Sequence, residues 1–132
     1  MNINDTILKY SLLTCAAYFV CMSMAHFFGI KLPILFIYYD VPFYEYQDKI
    51  ISFAVISYVM LFYGAFQNRA FAPHATLSLL TTVLGLSFIN SSDALNTLIE
   101  GADTTAYWAQ TAMIAVLVIW LSFFYFRSRS LD

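Results

Sequence analysis

The sequence predicts an all-α integral membrane protein: a four-transmembrane-helix antiparallel bundle with an aromatic, extended or re-entrant cap between helices 1 and 2. Three observations carry that expectation. The chain of 132 residues is 61% hydrophobic and only 11% charged, outside the range of soluble domains. Four windows, Tyr10 to Ile30, Ile50 to Gln67, Ala75 to Ser92 and Ala106 to Phe126, contain no Asp, Glu, Lys or Arg. Each approaches the ~20 residues that a helix needs to cross a ~30 Å hydrocarbon core. Unpaired backbone amides are so costly in lipid that continuous helix is the conformation such windows must take. The third observation is the connector KLPILFIYYDVPFYEYQDK, Lys31 to Lys49, which crowds Phe36, Tyr38, Tyr39, Phe43, Tyr44 and Tyr46 between two spans.

These features give one membrane domain over residues 1–132, with spans near 8–30, 49–67, 74–91 and 105–126 and an outward aromatic loop over 31–48. The polar head offers Asn4 or Asp5 as an N-cap for the first helix, and Lys9 snorkels to the interface. The first window is expected to be a retained span. Ser23, Met24 and Ala25 imitate a cleavage site, but Lys9 against Asp5 makes a poor positive n-region. Within it, Ser11, Cys15, Tyr18, Met22, Ala25, His26 and Gly29 share one helical face, which is expected to point inward because membrane helices pack through small residues. Leu12, Leu13, Phe19, Val20 and Phe27 are left for lipid.

In the connector, Pro33 and Pro42 remove backbone donors and push Leu32 and Val41 toward extended conformations. Ile34 to Tyr39 is rich in β-branched and aromatic residues, and Asp40 is a turn former. Too short to cross, this stretch is expected to lie over the outer mouth of the bundle, its tyrosines at headgroup level.

The second span opens with Asp48 as N-cap or first-turn acid, with Ala54, Ser57, Leu61 and Gly64 as its inward stripe. A short connector with Pro73 makes helices 2 and 3 neighbours. The third span carries Thr76, Ser78, Thr81, Thr82, Ser87 and Asn90 and is expected to be the least exposed to lipid. Leu95, Leu98 and Ile99 form a short amphipathic turn in the acidic loop that follows. Tyr107 and Trp108 anchor the last span outside, Phe123 to Phe126 with Arg127 and Arg129 anchor it inside, and Thr111, Ala115 and Ser122 line its inner face.

Charge sets the expected orientation. Lys9, Arg69, Arg127 and Arg129 fall on one side and only Lys31 and Lys49 on the other. The positive-inside rule then places both termini in the cytoplasm and the loops 31–49 and 92–105 outside, in a plasma or bacterial inner membrane. Cys15 and Cys21 lie on different faces of one helix and cannot bridge each other within it.

Chemistry is sparse. His26 is the imidazole inside a span and therefore a candidate functional group. Met22 is one turn away, so Met22 and His26 make a thin metal candidate; a hydrogen bond to Asp40, Glu45 or Asn90 is the simpler expectation. Tyr38, Tyr39, Asp40, Tyr44, Glu45, Tyr46 and Asp48 form an outward surface suited to a cation, a headgroup or a protein, and its carboxylates Asp40, Glu45 and Asp48 are also candidates to receive the His26 proton. Thr82 and Asn90, with His26 and Tyr38, are the residues expected to line any cavity for an amphipathic ligand such as a lipid or quinone. No span holds a carboxylate in its middle, which argues against proton-coupled transport, and no CxxC, HExxH or glycine-rich phosphate loop suggests an enzyme. The expected function is a non-enzymatic accessory subunit or oligomeric protein of the lipid bilayer that contacts a protein partner or its own copies, with no cofactor and no nucleic acid. Transport or binding of a lipid or quinone is the second expectation, and an enzyme acting on a lipid-soluble substrate a weaker third.

Overall fold

The computed structural model describes residues 3–36 and 41–129. They are helical: α1 (Ile3–Phe28), α2 (Glu45–Gln67), a 3₁₀ turn (Arg69–Phe71), α3 (Ala72–Asn90), the short α4 (Asp93–Leu98) and α5 (Thr105–Arg129), with no strand among the described residues. Four helices, α1, α2, α5 and the run from the 3₁₀ turn through α3, are long and apolar enough to cross a membrane.

The helices begin earlier than the charge-free windows. Asn4 and Asp5 lie inside the first turn of α1 rather than capping it, because Asp5 turns its carboxylate to Arg69, 3.1 Å away. Likewise α2 takes in Glu45 to Gln47, which the sequence placed in the loop, and Asp48 is the first-turn acid expected. Asp48 reaches back to accept the Tyr44 amide at 2.9 Å, and Glu45 pairs with Lys49 one turn on. Acids in a first turn also face the positive end of the helix dipole. Pro73 sits in the first turn of α3, as expected.

The central helix is α1, not α3. Some 39% of the apolar stretch of α1 is buried within the chain, against 17% for α2, 17% for the span holding α3 and 22% for α5. The hydroxyls of α3 explain the difference. Thr76, Ser78, Thr81 and Ser87 donate to carbonyls of their own helix, on Ala72, Ala75, Leu77 and Val83. A hydroxyl satisfied in this way can face lipid without a partner helix.

The small-residue stripes also differ from expectation. Ala54 and Ser57 of α2 and Thr81 and Gly85 of α3 are exposed, whereas Asp48, Ser52, Phe62 and Ala65 are buried. Leu12 and Phe19 of α1, assigned to lipid from the sequence, belong to the core with Phe62, Leu79, Ile114 and Leu121. Aromatic stacking decides this. Phe19 stacks on Tyr58 and on Phe62, with ring centroids 4.9 and 5.4 Å apart, and large offset-stacked rings contribute more dispersion than small-residue contact does. Pairs run from Lys9 with Phe66, through Phe19 with Phe62 and Ser23 with Ser52, to His26 with Asp48. α1 packs chiefly on α2, and α3 on α5 more than on α2. Trp120 of α5 donates its indole N–H to Ser11 at 2.9 Å and joins the two pairs.

Gly29 ends α1 at φ 65°, with the Ile30 amide donating to Ala25 at 2.9 Å. This is the Schellman arrangement, which favours glycine. The chain then turns tightly, Leu32 bridging Phe36. Tyr18 donates to the Leu35 carbonyl at 2.9 Å and its ring stacks near Phe36. The first half of the connector thus runs back beside α1 rather than flat across the helix ends. Val41 packs with Leu95, Ile99 and Tyr107. The expected amphipathic turn is therefore α4, while Tyr107 is buried there instead of anchoring at an interface, leaving Trp108 exposed.

A Cβ on Gly29 would stand 3.1 Å from the Phe43 ring in addition to the left-handed strain. Gly29→Ala is expected to lower the unfolding free energy in detergent by about 1–2 kcal/mol. Gly64→Ala, where a Cβ meets nothing within 4 Å, leaves it unchanged or raised in the same denaturant titration.

Candidate functional site

Among the described residues, a buried polar group is built where the end of α1 meets the start of α2. Helical spacing brings Ser23 and His26 of α1 to face Asp48 and Ser52 of α2, themselves one turn apart. Asp48 is only 4% exposed. Its carboxylate is held from two sides: His26 Nδ1 lies 3.5 Å from Oδ1, and the Tyr44 amide donates to Oδ2. Ser23 donates to the Ser52 carbonyl at 2.9 Å, and Ser52 to the Lys49 carbonyl at 2.6 Å. Both hydroxyl protons are thereby committed to backbone oxygens and not to a base. The pair can hold a proton between imidazole and carboxylate, and it keeps a buried charge paired.

The other site candidates separate. Tyr44 and Tyr46, 51% and 78% exposed, flank the exposed Glu45–Lys49 pair at the start of α2. Thr82 donates to Ser78 and so receives the Tyr58 hydroxyl at 3.0 Å, a tie between α2 and α3. Asn90 is buried and donates to Thr111 at 2.9 Å, joining α3 to α5. His26, Thr82 and Asn90 therefore each have a partner of their own among the described residues, in Asp48, Tyr58 and Thr111 respectively. Tyr38, Tyr39 and Asp40 lie outside the described residues. Met22 is buried on the helix face of His26; among the described residues no three His, Cys, Asp or Glu side chains come together as a metal group would require.

Asp48, one of the acids expected to receive the His26 proton, lies beside it, held there by its place in the first turn of α2. Ser23, Ser52 and Tyr58 escaped notice because hydroxyls within spans read only as packing residues. Gln110 did too. It is 1% exposed, and among the described residues neither end of its amide meets a partner in good hydrogen-bond geometry, although the Tyr18 hydroxyl is near; its place inside a charge-free window is the signal that could have singled it out.

Outside the spans, Asp103 accepts both the amide and the hydroxyl of Thr105, which holds its carboxyl below the usual carboxylate range. That acid stays ionised at neutral pH at the mouth of α5. Comparison with protein families, curated proteins and solved structures found no match.

Asp48→Ala removes the partner of His26 and the acceptor for Tyr44 together. It is expected to lower the unfolding free energy in detergent by about 3 kcal/mol. Asp48→Asn keeps an acceptor for the Tyr44 amide and should lose only about 1 kcal/mol. Equal losses from both variants would show that the charge, and not the cap, carries the interaction.

Proposed function

We propose that this chain is a non-enzymatic subunit of a membrane assembly: a four-span antiparallel bundle that contacts a partner protein, or further copies of itself, through the aromatic surface at the start of α2. The supporting observation is how Tyr44 and Tyr46 are held. Both rings are exposed, yet the backbone carrying them is fixed by Asp48, whose carboxylate caps Tyr44 and faces His26. Tyrosines presented on a rigid frame contribute contact area at low entropic cost, which is why they dominate protein contact surfaces. The polar group thus has a positioning role. With four Lys and Arg residues on the side of the termini against two on the other, both termini belong in the cytoplasm and Tyr46 faces outward.

A photo-crosslinking residue in place of Tyr46 tests this in native membranes. One discrete protein adduct, lost when Tyr44→Ala is added, is the expected result. Adducts to lipid alone, together with a monomer in mild detergent, would overturn the reading.

A further inference from the structure

At the opposite end of the α1–α2 pair lies a cavity of about 260 Å³. Its rim is polar, made by Asp5, Lys9, Gln67 and Arg69, and its floor is apolar, including Leu12 and Phe66. It straddles a boundary written in the sequence: the charge-free window of α1 begins at Tyr10, immediately after Lys9, and that of α2 ends at Gln67. This is the depth at which the phosphate of a phospholipid gives way to its acyl chains.

The charges in the cavity are divided unequally. Asp5 and Lys9 stand one turn apart, the usual geometry for an ion pair on a helix. Asp5 instead binds Arg69 at 3.1 Å, and a second guanidinium nitrogen of Arg69 donates to the Tyr125 carbonyl at 3.2 Å. Lys9 is left with its ammonium 5.0 Å above the centroid of the Phe66 ring, and among the described residues it has no carboxylate within ion-pair distance. Two cations and one acid give the rim a net charge of +1. An ammonium held over a ring at the edge of an apolar floor complements a single anionic group with hydrocarbon attached.

We propose that this cavity binds an anionic phospholipid of the adjacent leaflet, its phosphate on Lys9 and Gln67 and an acyl chain against Leu12 and Phe66. Arg69 stays on Asp5 and Tyr125 and shapes the wall. A free phosphate shares the headgroup chemistry but leaves the floor unfilled, so the two sources are separable.

The purified full chain, delipidated in detergent, is titrated with phosphatidylglycerol, phosphatidylcholine or inorganic phosphate, and bound lipid is read by native mass spectrometry. Phosphatidylglycerol is expected to bind at least tenfold more tightly than phosphatidylcholine, and inorganic phosphate not to compete at equal concentration. Lys9→Gln should abolish the preference and Lys9→Arg retain it. If Lys9→Gln does not fold, Gln67→Glu, at an exposed position, brings a negative charge to the same rim and should remove the preference. Equal binding of the two lipids, an unchanged preference in Lys9→Gln or Gln67→Glu, or full displacement by inorganic phosphate would overturn the proposal.

Discussion

α1 is fastened at both ends by polar side chains, and the arrangement of the other helices follows from those two fastenings. At one end His26 faces Asp48 of α2; at the other Asp5 takes Arg69, which also reaches Tyr125 of α5. In hydrocarbon there is no water for helices to exclude, so apolar contact alone discriminates weakly between one face and another. Polar ties with defined partners discriminate strongly, because a wrong rotation leaves a charge unpaired in a low dielectric. Between the ties, the stacked Phe19, Tyr58 and Phe62 rings fill the seam.

The same logic explains the looser half of the molecule. α3 joins its neighbours through single polar contacts, Thr82 to Tyr58 and Asn90 to Thr111, and otherwise satisfies its hydroxyls internally. Gly85 and Thr81 then face outward at no polar cost. Rigid polar ties at the ends and sparing contacts at the periphery leave α2 and α3 with broad outer faces. That distribution accords with a protein working in lipid, with Tyr44 and Tyr46 exposed where Asp48 fixes the start of α2.

The four spans were legible in the sequence because a missing charge over about 20 residues has one reading in a bilayer. His26 was legible for the complementary reason, as an imidazole where water is scarce. Rotation about the helix axes was legible only in part: Cys15, Met22 and Ala25 of α1 and Thr111 of α5 are buried on the faces expected. Sorting residues by size sent Leu12 and Phe19 to lipid and Ala54 and Ser57 inward, whereas ring stacking buries Leu12 and Phe19 as well and leaves Ala54 and Ser57 exposed. The start of α1 escaped because Asp5 was read as a local cap, whereas its carboxylate finds Arg69; Asp48 is the first-turn acid expected, and beyond capping Tyr44 it meets His26, a partner that only the fold brings near. The Gln110 amide had only its place inside a charge-free window to mark it.

The role of Arg69 can be measured directly as a distance. Spin labels at the exposed positions Tyr10 of α1 and Phe123 of α5, with Cys15→Ala and Cys21→Ser removing the native thiols, report the α1–α5 spacing in nanodiscs by pulsed electron resonance. With Arg69 present, one narrow distance distribution is expected. With Arg69→Gln the distribution should broaden or split, as α5 loses its tie to the start of α1; an unchanged narrow distribution would contradict the claim that charged fastenings, rather than apolar packing, hold these helices in place.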